Sequence, residues 1–291
     1  MSARPALFVV LLLFIGPSAV SQSGTPERLQ TTVDVCVYGG TSAGVMAAYS
    51  AKKLGKSVLL IEPGRRLGGL TSGGLGYTDI GNKYAVTGLG LDFYRRLGKH
   101  YGSFEQWVFE PGVAEKLFRD YIQRGNVPVL FNQRLLSVKK AGKRIEEIAL
   151  EPSERTGQPL QSGRTVRAKM FIDATYEGDL MAKAGVSYTV GREANSQYGE
   201  TYNGVQLLDK HQFPDGVDPY RIPGKPESGL LWGISDANLA PQGSGDKLVQ
   251  TYNFRICLTS DPANRLEITR PADYDSTKYE LLLRSLAVKP L

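Results

Sequence analysis

Apolar residues fall into a few sharply bounded runs whose spacing sets out alternating strands and helices. Val33-Asp34-Val35-Cys36-Val37-Tyr38 is β-branched and almost continuously apolar, as a parallel strand buried on both faces should be. A glycine-rich turn over residues 39–44 leads into a segment with Ala43, Ala47, Ala48 and Ala51 at helical spacing, ending near Gly55. Ser57-Val58-Leu59-Leu60-Ile61-Glu62 is a second buried strand, so about thirty residues make a βαβ unit. Residues 64–90 are rich in glycine and carry few signals of either kind, and residues 101–107 read as irregular or briefly helical.

Pro111-Gly112 then opens an amphipathic helix that runs through Ile122. Residues 127–131 begin a run of strands, and residues 133–138 and 144–150 pair as a hairpin across Ala141-Gly142. Residues 165–173 form a further strand. From Gly191 onward tyrosine, asparagine, proline and glycine become frequent and periodicity fades. The expected class is α/β. A Rossmann-like domain of parallel strands with a β-hairpin or meander insertion spans residues 33–190, and an α+β substrate-facing region, expected to be incomplete, begins at residues 191–291.

The N-terminus is a different kind of sequence. Arg4 precedes an apolar run over residues 6–15, well short of the about 20 residues a membrane span needs. Gly16-Pro17 breaks it, and Ala19-Val20-Ser21 offers small residues where a signal peptidase reads. The expectation is a signal peptide over residues 1–21, a polar linker over 22–32, and export to the periplasm or the extracellular space. The alternative is an uncleaved anchor. No Arg-Arg pair precedes the run, so a twin-arginine route has no support.

Composition narrows the partners. With 41% hydrophobic residues in 291, the chain can bury a core, and its 22% charged content is that of an ordinary globular protein. The net charge of +6 is spread along the sequence rather than clustered, which argues against nucleic acid and leaves a small-molecule substrate. The only cysteines and histidines are Cys36, Cys257, His100 and His211, without metal-ligand spacing, so no metal site is expected. Cys36 suits packing within its strand, and a Cys36–Cys257 disulfide stays open in an oxidising compartment without geometric support from the spacing.

The turn at residues 39–44 carries the chemistry. A dinucleotide pyrophosphate needs a tight strand-to-helix turn, close backbone approach and a helix N-terminus aimed at the phosphates. Gly39 supplies the turn and Gly44 the close helix–strand contact, while Thr41 stands where the usual pattern has its second glycine. The Thr41 side chain narrows the approach, although its hydroxyl could bond a phosphate. Glu62 ends the second strand about twenty residues on, where an acid binds ribose hydroxyls. The ADP half is common to NAD and FAD. The long loop Pro63-Gly64-Arg65-Arg66-Leu67-Gly68-Gly69-Leu70-Thr71-Ser72-Gly73-Gly74 favours FAD, since it suits a pyrophosphate and ribityl chain leading to a flavin, with Arg65 or Arg66 balancing phosphate charge.

The stretches GGTSAGVMAA, LLIEPGRRLGGLTSGGLG, FEPGVAEKLF, FIDATYEGDLMAKAGVSYTVGREANSQYGET and YNFRICLT together resemble the FAD-dependent oxidoreductases often found in bacteria that degrade polysaccharides. The resemblance runs from Val33 to the end. It implies a glutathione-reductase-like FAD domain with an inserted substrate domain. By position it implies cofactor contacts at Gly39, Gly40, Thr41, Ser42, Ala43, Gly44, Glu62, Gly68, Gly69 and Ser72, to which the charge argument above adds Arg66, and it aligns Asp173-Ala174-Thr175 with a later strand near the domain centre. Tyr176-Glu177-Gly178-Asp179 follows where broader relatives have a glycine next. Members are usually longer, so a C-terminally truncated member is expected.

A flavin performs the electron transfer while the protein orients substrate and handles protons. Tyr77 and Asp79, just past the glycine loop, are the best-placed proton-handling candidates, with His211 and with His100, expected at a helix end where a cation complements the dipole, behind them. Glu177 and Asp179 suit turn or helix-capping roles better than glycosidic cleavage. Trp232, Tyr252 and Arg255 either line a sugar or acid pocket or serve as core aromatics with a paired arginine. The expected function is an exported FAD-dependent oxidoreductase that oxidises or reduces a small polar substrate, carbohydrate-derived compounds included, by hydride transfer. The alternatives are a non-redox enzyme such as a polysaccharide lyase with structural FAD, and a truncated flavin-binding remnant without turnover.

Overall fold

The apolar runs become the centre of one six-stranded sheet in the computed structural model, which describes residues 30–153, 163–208, 212–250, 255–256 and 258–290. The expected signal peptide at residues 1–21 lies outside them. The chain divides into two units, with the boundary between Ala184 and Gly185.

In the first unit β1 (Gln30–Tyr38) is followed by α1 (Ser42–Lys53) and β2 (Val58–Glu62). Next come α2 (Gly88–His100), α3 (Pro111–Gly125), β3 (Val129–Phe131), β4 (Gln133–Ala141), β5 (Arg144–Pro152), β6 (Thr165–Asp173) and the single-turn α4 (Asp179–Lys183). The sheet order is β3-β2-β1-β6-β5-β4. β1 pairs in parallel with both β2 and β6, and β2 with β3, while β5 pairs antiparallel with β6 and with β4. The β-meander β4–β5–β6 thus continues a parallel sheet.

Both faces of β1 and β2 are covered, which is why neither strand alternates polar with apolar. Val37, Val58 and Leu60 pack with Val45 and Ala48 of α1, Phe93 and Leu97 of α2, and Phe118 and Tyr121 of α3. Cys36, Tyr38, Leu59 and Ile61 pack on the opposite face with Leu135, Ile148, Leu150, Val166 and Leu180. That second face is covered because the antiparallel end of the sheet curls back over it. β4 touches β2, which is not its neighbour in the sheet, and the Tyr38 hydroxyl accepts the Leu135 N–H at 2.9 Å. Burial pushes the Cys36 thiol up to about 12 and raises Tyr38 as well.

The outer strand β4 is interrupted by a bulge at Leu136, between the pairs Leu135–Leu150 and Ser137–Ala149. Lys183 of α4 donates to the Leu136 carbonyl at 3.1 Å, and Lys140 of β4 donates to the Ala184 carbonyl at 2.5 Å.

The second unit is mostly irregular, with α5 (Asn195–Tyr198) and α6 (Glu280–Val288) as its helices among the described residues. Arg284 of α6 ties it locally by donating to the carbonyls of Asp218 at 3.1 Å and Tyr220 at 2.6 Å while pairing with Glu280. Beside it a cleft of about 960 Å³ is lined by Arg221, Leu231, Trp232, Thr277 and Leu283, among others. Among the described residues no helix is long and apolar enough to cross a membrane.

Candidate functional site

The β1–α1 turn lies where the ends of β1, β2 and β6 meet. Gly39 adopts φ +103°, and a Cβ there would stand 2.8 Å from the backbone of Ala174 at the end of β6. A Cβ on Gly44 would lie 1.8 Å from the Gly39 carbonyl oxygen, so α1 sits on the turn at a separation that excludes any side chain. Gly40 is closed in the same way from the β2 side, by the Glu62 carboxylate and Leu67.

Thr41 is the N-cap of α1. Its hydroxyl accepts the Gly44 N–H at 3.2 Å and donates to the Ala174 carbonyl at 2.8 Å. With its proton committed to Ala174 and its side chain buried, this hydroxyl is not a phosphate donor, so what residue 41 can offer an anion is backbone. The same bond fastens the turn to the end of β6. Ser42 and Ala43 begin the helix, and their N–H groups have no acceptor within it. No acid stands in the first turn, so the positive end of α1 is not neutralised, and Ala43 is exposed.

Glu62 closes the cradle from β2. Its Oε2 accepts the Gly40 N–H and its Oε1 the Gly64 N–H, both at 2.6 Å. These two bonds fix the carboxylate and leave each oxygen a further lone pair for a vicinal diol. Close-packed glycines, a helix N-terminus with Ala43 exposed and an oriented carboxylate thus come together at one turn. The residues present therefore fit the ADP half of a dinucleotide.

The loop after β2 continues the wall. The Gly68 N–H donates to the Gly40 carbonyl at 2.8 Å, and Gly68 takes φ +101° in a space closed by Phe118 and Ser72. Gly69 follows at φ +55° and opens the 3-10 turn Gly69–Thr71. Ser72 is buried and its hydroxyl donates to the Leu67 carbonyl at 2.5 Å, so it shapes the loop from inside. Arg66 lies 3.6 Å from Glu115 of α3 with its side chain 74% exposed, a weak pair that leaves the guanidinium exchangeable.

The candidate acid–base residues lie further along. The segment at Tyr77 bridges antiparallel to Val108, with the Thr78 N–H on the Trp107 carbonyl at 3.1 Å; Tyr77 is 75% exposed and Asp79 is exposed beyond it. His100 is exposed in the last turn of α2, edge-on to the Tyr101 ring. Asp179 opens α4, and its N–H donates to the Thr175 hydroxyl at 3.3 Å, while Glu177 is exposed in the preceding turn. Trp232 lies on the cleft of the second unit and Arg255 is exposed. His211, Tyr252 and Cys257 lie outside the described residues.

Sequence spacing did not single out the β6–α4 turn as part of the site. The Asp173 carboxylate accepts the Thr175 N–H at 3.0 Å, the Thr175 hydroxyl at 2.7 Å and the Met181 N–H at 2.9 Å. It thereby holds Ala174 against Gly39 and Thr41. The pairing of acid and hydroxyl two residues apart, directly after an apolar strand, is the local signal that marks such a turn.

The family model described as FAD dependent oxidoreductase matches residues 34–290. No curated protein matches the sequence. Among solved structures, a geranylgeranyl bacteriochlorophyll reductase-like protein from Thermoplasma acidophilum is 22% identical at a TM-score of 0.39, over 54% of this chain and 43% of that one. A flavoprotein/dehydrogenase from Cytophaga hutchinsonii is 18% identical at 0.41, over 56% and 44%. The L-proline dehydrogenase from P. horikoshii is 17% identical at 0.32, over 58% and 26%. The chain spans less than half of each of these three.

Proposed function

The chain belongs to the FAD-dependent oxidoreductase family, and from that membership we propose that its first unit seats the ADP half of FAD at the β1–α1 turn for redox chemistry on a small polar substrate. One observation carries the reading: the Glu62 carboxylate is oriented by the Gly40 and Gly64 amides beside the glycine turn that leads into α1, whose first turn carries no acid of its own. In this reading the amides of Ser42 and Ala43 receive the pyrophosphate and Glu62 accepts from the ribose hydroxyls. Arg66 exchanges its exposed pairing with Glu115 for phosphate. The walls at Gly68, Gly69 and Ser72 guide the remainder of the cofactor. Bound flavin supplies the two-electron chemistry. Tyr77 and Asp79 are the side chains assigned to proton handling, because they are exposed just beyond that loop.

Carbohydrate-derived compounds are the first substrate class to test, and the apolar stretch over residues 6–15 supports export with cleavage after Ser21. The full chain should retain yellow cofactor when purified with added FAD. Anaerobic addition of the true substrate should change the bound flavin's spectrum, bleaching it when the flavin is the oxidant. Turnover of a substrate with the spectrum unchanged would instead mean a non-redox enzyme with structural flavin. N-terminal sequencing of exported protein should begin at Gln22.

A further inference from the structure

The loop after β2 has two anchors on its own side of the cradle: the Gly68 N–H on the Gly40 carbonyl, and the Ser72 hydroxyl on the Leu67 carbonyl. Its outer corner is held from the opposite wall. Tyr176, the first residue past Asp173-Ala174-Thr175, accepts the Leu70 N–H at 2.7 Å across 106 residues of sequence. The tyrosine hydroxyl stands over Gly69 so closely that a Cβ there would lie 2.2 Å from its oxygen. Tyr176 is 59% exposed, so the ring is not core filling and its phenylalanine analogue disturbs little packing. The turn that carries it is rigidly held by Asp173, and the Ala174 carbonyl receives the Thr41 hydroxyl. Tyr176 therefore joins the two walls of one crevice, the loop at residues 68–72 and the β6–α4 turn.

Resting on the dinucleotide reading above, we propose that Tyr176 is a positioning residue for the flavin-bearing half of the cofactor. By accepting the Leu70 amide it sets where the 68–72 loop stands as the chain of the cofactor leaves the pyrophosphate. The ADP end is held without it, by the β1–α1 turn and Glu62. Because the hydroxyl acts as acceptor in this bond, its own proton is not consumed there.

The test is a titration of the cofactor-stripped full chain with FAD and, separately, with ADP, in wild type, Tyr176→Phe and Tyr176→Leu. Tyr176→Phe should weaken FAD by about three- to tenfold, the scale of one net hydrogen bond, and alter the visible absorption of the bound flavin. ADP affinity should stay as in wild type. Tyr176→Leu, which also lacks the hydroxyl, should repeat that split; it decides the matter alone if the phenylalanine variant fails to fold by circular dichroism. Unchanged FAD affinity and spectrum overturn the proposal, and so does an equal loss for ADP and FAD. Wild type that takes up neither ligand overturns the dinucleotide reading itself and this proposal with it.

Discussion

At the scale of single residues, the two carboxylates Glu62 and Asp34 show how position decides role. Glu62 takes one backbone amide on each oxygen. Glutamine keeps the shape but has only one acceptor oxygen, so one of the two glycine amides would face an NH₂ group. Glu62→Gln should therefore weaken FAD by about ten- to a hundredfold, the range for hydrogen bonds to a charged acceptor, as read by flavin fluorescence. Asp34 sits midway along β1, beside Ser57 at the start of β2. Lys169 at 2.8 Å, followed by the Ser57 hydroxyl and N–H, holds its carboxyl well below the usual carboxylate range. A depressed folded-state value adds stability above the unfolded value of about 3.9, and that stability drains away as pH falls through the folded value. Wild type should thus be more resistant to urea than Asp34→Asn at pH 7, with the gap narrowing once the pH drops below about 4. Gly39, Gly44 and Glu62 could be singled out from the sequence because their spacing is local. Tyr176 could not be, because its partner Leu70 is distant along the chain.

Among elements, α2 and α3 are joined by a half-buried polar link at the edge of an aromatic core. The Tyr121 hydroxyl donates to Asp92 at 2.5 Å, Arg96 pairs with the same carboxylate at 2.6 Å, and the Arg96 guanidinium stands 5.0 Å over the Tyr121 ring. Burial first, and then Asp92, hold the Tyr121 phenol well above its ordinary range. Tyr121→Phe keeps the ring and loses the bond, so it should cost about 1–2 kcal/mol and lower the melting temperature by a few degrees, measurable by calorimetry. The βαβ unit and the β4–β5 hairpin were plain in the sequence, because apolar runs and a turn glycine bound each of them. Of α2 only the end at His100 could be read, since the helix opens on Gly88-Leu89-Gly90, a weak start. Its helix is secured by packing, with Phe93 stacked on Phe118 at 4.8 Å and Leu97 fully buried.

On the scale of the whole molecule, the cradle is assembled from β1, α1, β2, β6 and the loop after β2, all within the first unit. A chain ended at Ala184 should therefore bind ADP as the full chain does, by calorimetric titration; loss of binding would mean the first unit does not stand by itself. The second unit was the least legible part. Periodicity fades there, and its regular elements are correspondingly short, so its order depends on long-range ties such as Arg284 on the Asp218 and Tyr220 carbonyls. The β4 bulge and its two lysine contacts have an outcome for the protein in bulk. A strand at the rim of a sheet is an invitation to a neighbouring molecule. Here the rim is kinked, carries lysines and is partly occupied by Lys183, features that work against pairing of this strand with a second copy.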